Sequence, residues 1–146
     1  NETIYNALPS DLQSVIATTK VISSHGATEG ETNFETQDKL YLLSMEEIYE
    51  DAASSNYAKW DPSIIWDTSV GTSKQLDYYK NLGVTKDNHS SAKKQYDGKD
   101  EDSTAWWFRS MDGSDAESII VIYGSGAWDC FNSEGVYGIS PAFRIA

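Results

Sequence analysis

Cys130 is the only cysteine in this chain, and positive charge is outnumbered about two to one by negative. A lone thiol excludes an internal disulfide and any zinc site built from several cysteines. Eleven Lys and Arg stand against 23 Asp and Glu, a formal net charge of −12. Gripping nucleic acid takes cations that release phosphate counterions, and docking on an anionic membrane takes a basic patch, so neither partner is expected. No apolar run approaches the roughly 20 residues of a membrane-spanning helix, so membrane insertion by this domain is not expected either. No signal peptide opens the chain, and Asn1 stands where an initiator Met would, so these residues are expected to belong to a longer protein.

The chain does hold many aromatics: five Trp, nine Tyr and four Phe in 146 residues. That length suffices for one domain, residues 1–146, with a core that needs neither disulfide nor metal. Ser10 and Gln13 have the spacing of a capping box. Leu12, Val15, Ile16 and Thr19 follow at helical intervals, which predicts a helix from Asp11 to Lys20. Residues 23–37 are polar and read as a loop, and residues 39–43 (KLYLL) as a short buried strand. Ser44 with Glu47 forms a second capping box before a helix carrying Ile48 and Ala52. Residues 73–82 suggest another short helix, with Leu76 and Tyr79 inward and Gly83 as its stop. Residues 88–102 read as a surface loop.

The last third changes character. Residues 105–109 (AWWFR), 118–123 (SIIVIY), 127–131 (AWDCF) and 142–145 (AFRI) are β-type runs divided by glycine-containing turns. Helices followed by clustered short strands, without βαβ alternation, predict an α+β fold. Trp106 and Trp107 are adjacent, so on a strand only one of them points into the core.

Catalytic signals are weak. Cys130 needs a base, and the only histidines, His25 and His89, lie in polar stretches without a catalytic motif. Acidic residues 97–102 (DGKDED) lack the ligand ladder of an EF-hand, so no metal site is expected. Glycines at 113, 124, 126 and 135 do not make a phosphate loop and read as hairpin turns. No cofactor and no catalytic residue is expected. Around Trp128 and Phe131, however, Tyr123, Asp129, Asn132 and Tyr137 mix large aromatics with Ser, Gly and Asp. Such a mixture supplies rigid contact area and adaptable hydrogen bonds in binding surfaces, and it also occurs in ordinary hairpins.

Residues 106–110 (WWFRS) and 137–145 (YGISPAFRI), with residues 38–44 and 75–80 upstream, resemble a domain common in gut bacteria and their phages. The resemblance is to the variable proteins of diversity-generating retroelements, and it spans nearly the whole chain. It implies a C-type-lectin-like fold, with short helices and a small twisted antiparallel sheet, at the C-terminal part of a longer protein. It further implies a ligand-binding role without catalysis, on a cell surface or a phage particle, in adhesion or receptor recognition. In such proteins an error-prone reverse transcriptase rewrites adenine-bearing codons between two fixed motifs, here Arg109-Ser110 and Ser140-Pro141. Trp128, Gly126 and Glu134 then correspond to framework, and Ile120, Ile122 and Trp128 to the core. Val121, Tyr123, Ser125, Ala127, Asp129, Cys130, Phe131, Asn132 and Tyr137 correspond to variable contacts with an unidentified protein or glycan. Asp112, Ser114 and Asp115, in the loop before residues 118–123, join them as variable contacts that the resemblance implies. Two further readings stand beside this one: a non-diversified carbohydrate- or peptide-binding module of the same fold, and a small hydrolase using an acid pair. Formylglycine-generating oxidases share the fold but use paired cysteines, which this chain lacks.

Overall fold

The computed structural model describes residues 2–23, 32–49, 75–85, 87–92, 105–111 and 117–146. Two short helices open the chain, α1 (Glu2–Asn6) and α2 (Ser10–Val15). Pro9, not Ser10, occupies the N-cap of α2, and its carbonyl accepts the Gln13 N–H at 2.9 Å. The Gln13 side chain turns back to the Leu8 carbonyl, so the expected Ser10–Gln13 capping box does not form. The helix also stops at Val15 rather than running to Lys20. Residues 15–22 (VIATTKVI) are rich in β-branched side chains, which lose rotamer freedom in a helix and pack well in strands. They form β1 (Ile16–Ala17) and β2 (Thr19–Ser23). Antiparallel to β2 runs β3 (Phe34–Asp38), Thr19 opposite Asp38 and Ser23 opposite Phe34. The expected loop over 23–37 therefore contains most of a strand, while residues 24–31 lie outside the described residues.

The expected strand at 39–43 shrinks to β4 (Tyr41–Leu42), followed by α3 (Met45–Ile48). The Ser44–Glu47 capping box is present, with the Glu47 carboxylate accepting the Ser44 backbone N–H at 2.8 Å. So short a helix has no stability of its own; all four of its residues are buried, and packing maintains it. The next described helix, α4 (Asp77–Asn81), buries Tyr79, and just past its end Gly83, with a φ of +65°, is the left-handed stop expected there.

Strands β5 (Ala105–Met111), β6 (Ser118–Tyr123) and β7 (Trp128–Asn132) form an antiparallel sheet with β6 in the centre. Trp106, Ile122 and Trp128 stand in register across it, as do Ile120 and Cys130. This row faces Leu43, Met45, Ile48, Tyr49, Tyr79, Val84 and Ala92, and together they make the core. Leu43 belongs to that cluster, whereas Leu42 and Phe143 are only half-buried.

The C-terminal stretch joins the remaining pieces. Gly138 bridges Trp106 on β5, β8 (Pro141–Ala142) pairs with β4, and β9 (Arg144–Ile145) pairs with β1. The expected strand at 142–145 is thus two short strands. The architecture is α+β and loop-rich, with short helices and small antiparallel sheets. Among the described residues no helix is long and apolar enough to cross a membrane.

Candidate functional site

Alternation along the β5–β6–β7 sheet sends one set of side chains to the core and the other to the opposite face. Trp107, Val121 and Asp129 stand in one row of that second face, and Ile119 opposite Phe131 in the next. Three aromatic contacts run along it. Trp107 packs edge-on against Tyr137, ring centroids 4.9 Å apart and planes at 84°. Tyr137 lies 5.1 Å from Phe131, and Phe131 lies 6.1 Å from Tyr123 at 88°. All four rings are half-buried. Asp129 is exposed at the Tyr123 end, with its Oδ2 accepting the Tyr123 hydroxyl at 3.4 Å.

Two turns hold this ladder in place. In the first, Tyr123 N–H donates to the Ala127 carbonyl and Gly126 N–H to the Tyr123 carbonyl. Gly126 has φ +88°, and a Cβ there would lie 2.0 Å from the His89 carbonyl oxygen, so only glycine fits. Its own carbonyl accepts the buried Tyr49 hydroxyl at 2.6 Å. In the second turn, the Asn132 side chain accepts the Glu134 N–H at 2.8 Å, and Gly135 N–H donates to the Asn132 carbonyl. A Cβ on Gly135 would meet the Tyr137 ring at 2.6 Å, so its absence lets that ring fold over the turn. Tyr137 is then pinned along the edge of β5 by Gly138, which donates to the Ala105 carbonyl and accepts the Trp107 N–H.

The residues expected as contacts therefore divide. Tyr123, Asp129, Phe131 and Tyr137 come together on one face. Ser125 and Ala127 sit half-buried in the first turn, where the Ser125 hydroxyl accepts the Ala127 N–H. Asn132 is exposed and builds the second turn, its amide also reaching Glu117 at 3.4 Å. Val121 is not a surface contact: it lies within the row between Trp107 and Asp129, is 0% exposed, and is part of the buried interior. Cys130 points the other way, half-buried against the core, because it follows Asp129 on a strand. Asp112, Ser114, Asp115, the acidic run at 97–102 and His25 lie outside the described residues.

Sequence reasoning missed Trp107 as a member of this face and Gly135 as the residue that seats Tyr137. Parity alone assigned one Trp of the pair inward without saying which; register against Val121 decides it. Val136 and Ile139, 97% and 60% exposed, flank Tyr137 in irregular backbone where no periodicity marks them. Elsewhere, an apolar cleft of about 220 Å³ is lined by Ile4, Leu40, Tyr41, Leu42, Ile139 and Pro141 and carries no acid–base pair. Among the described residues no three of His, Cys, Asp and Glu are placed to hold a metal ion.

A family model described as Domain of unknown function (DUF6273) matches residues 1–146. The chain belongs to the DUF6273 family. No curated protein and no solved structure matches it. In this DUF6273 domain the match includes both the stretch that forms β5 and the C-terminal stretch that pins it, the two segments that together carry Trp107 and Tyr137.

Proposed function

We propose that this DUF6273 domain is a non-catalytic ligand-binding domain of C-type-lectin-like build, acting outside the cell on a cell surface or phage particle. The observation that carries the reading is the ladder of Trp107, Tyr137, Phe131 and Tyr123, half-buried on the face of the sheet opposite the core. Rigid aromatic rings offer contact area at low entropic cost, and contiguous exposed apolar surface marks interaction sites. The fold class is compatible with such a scaffold: loops and hairpins carry the face, and the buried Tyr49 hydroxyl holds the first turn through the Gly126 carbonyl. The ligand is a protein or a glycan.

The paired test is affinity against stability for Tyr123→Ala, Phe131→Ala and Tyr137→Ala. Glycan and peptide arrays probed with wild type should lose signal with the triple variant, while the variant stays folded. Signals that persist in the triple variant would move the ligand elsewhere.

Retroelement diversification is part of the proposal for Tyr123, Ser125, Ala127, Asp129, Phe131, Asn132 and Tyr137. Val121 and Cys130 are left out, because Val121 is fully buried and Cys130 packs half-buried against the core, where polar replacements are costly. A near-identical downstream repeat that differs only at adenines, beside a reverse transcriptase gene, is the genomic result expected; a locus without one would remove diversification from the proposal. A fixed binding module is the second reading. It is favoured by the interlocked rings, since replacing Phe131 uncovers both Tyr123 and Tyr137.

A further inference from the structure

We infer that the aromatic face takes a cationic protein partner, seating its Arg or Lys side chains on the rings and against Asp129. This rests on the ligand-binding reading above and adds the chemistry of the partner. Between Arg109 and Arg144 the chain contains no Lys, Arg or His, while Asp112, Asp115, Glu117, Asp129 and Glu134 all fall in that interval. Glu117, Asp129 and Glu134 are exposed; Asp129 is bonded to Tyr123 of the face, and Glu117 to Asn132 in the turn beside it. The whole chain carries −12, so its field reinforces the local charge.

The rings add a second attraction of the same sign. Aromatic faces carry negative quadrupole density and hold a guanidinium or ammonium within about 6 Å of the centroid. Because the Tyr123 hydroxyl lies 3.4 Å from Asp129, a single guanidinium stacked at that end also reaches the carboxylate. Polyanions such as nucleic acid or sulfated glycan would be repelled. A neutral glycan would stack on the rings but gain nothing from the excess of carboxylate.

The test uses the full chain, ¹⁵N-labelled, in NMR titrations at physiological salt with three probes: an acetylated, amidated hexaarginine, the neutral hexacitrulline of the same shape, and maltoheptaose. Hexaarginine is expected to shift the Trp107 indole and the backbone of 121–137, and hexacitrulline to do so far more weakly. Phe131→Ala and Tyr137→Ala keep the net charge and should weaken hexaarginine about tenfold or more. Asp129→Asn should do the same. Glu35→Gln removes one carboxylate from exposed β3, remote in sequence from the face, and should change affinity by less than about twofold. Equal effects of Asp129→Asn and Glu35→Gln, with none from the aromatic variants, would reduce the binding to diffuse charge and overturn the inference. Maltoheptaose perturbing the face where hexaarginine does not would also overturn it, while leaving the ligand-binding reading intact. Silence from all three probes, together with array signals unaffected by the triple variant, would remove both.

Discussion

The Arg109 guanidinium meets the Glu47 carboxylate at 2.6 Å, with the two side chains only 5% and 2% exposed. Charges buried so deeply are tolerable only when every polar atom is occupied. Arg109 also donates from Nε to the Ile22 carbonyl and from Nη1 to the Leu42 carbonyl, and Glu47 accepts the Ser44 N–H. Next to it, the Ser110 hydroxyl accepts the Met45 N–H at 3.1 Å. One residue of β5 thus ties β2, β4 and α3 to the central sheet. The Arg-Ser pair that resembles a family boundary motif is a structural joint between β5 and the segments packed against it.

Breaking that joint on one side should be costly. Arg109→Met leaves the Glu47 carboxylate buried without its cation, and a loss of about 3–5 kcal/mol is expected in urea unfolding. Adding Glu47→Gln should recover part of it. A loss below about 1 kcal/mol for Arg109→Met would mean that the pair is not buried as described.

The two adjacent tryptophans should separate cleanly. Trp106 lies in the core at 5% exposure, so Trp106→Ala is expected to cost about 3–5 kcal/mol. Trp107→Ala should cost nearer 1 kcal/mol, the scale of a lost aromatic pair, and should release Tyr137. Thermal unfolding of both variants checks the order, and a reversed ranking would invert the sheet's two faces.

Glycines at the two turns should fail differently. Gly126→Ala meets backbone and a left-handed φ, so a destabilisation of about 1–3 kcal/mol is expected. Gly135→Ala meets only the edge of the Tyr137 ring, a movable side chain. It should keep the melting temperature within a few degrees, yet change Trp107 fluorescence and the response to hexaarginine. Unaltered Trp107 fluorescence would show that the ring does not lie over the turn.

Alkaline stability should depend on Tyr79. Burial chiefly, helped by Tyr78 and then by the Glu47 charge, pushes its phenol from 10.0 up to about 12. The folded state therefore holds the proton more tightly than the unfolded chain. Its contribution is fully present below pH 10 and is lost as pH rises through about 12. The measurement is a difference between variant and wild type: Tyr79→Phe should show a shallower loss of stability than wild type between pH 10 and 12. Parallel curves would place the Tyr79 hydroxyl in solvent.

How much could be read beforehand depended on the range of the interaction. The Ser44–Glu47 box and the Gly83 stop are local, each set by residues a few positions apart, and both appear as expected. Most of residues 16–20, inside the helix expected over 11–20, form strands instead: their apolar spacing fits both periods, and the partners that decide, Arg144–Ile145 for β1 and Phe34–Asp38 for β2, are invisible locally. The same limit applied to the site. Tyr123, Asp129 and Phe131 lie two or more residues apart on neighbouring strands, so strand parity grouped them. Val121 obeys the same parity and was assigned with them, since parity tells which face a side chain takes but not whether that face is covered.

The sequence by itself determined the strands β5, β6 and β7, the turn between β6 and β7, the absence of a thiol pair and the acidic character of the whole chain. These follow from composition, two-residue alternation and glycine conformations, all properties of short segments. Only the tertiary structure decided that Trp107 meets Tyr137, that Gly135 makes room for that ring, and that Arg109 and Glu47 neutralise each other in the interior. Each is a contact between segments brought together when burial of the core ring set fixed β5 against its neighbours, and no local pattern encodes which distant partner fills the remaining space.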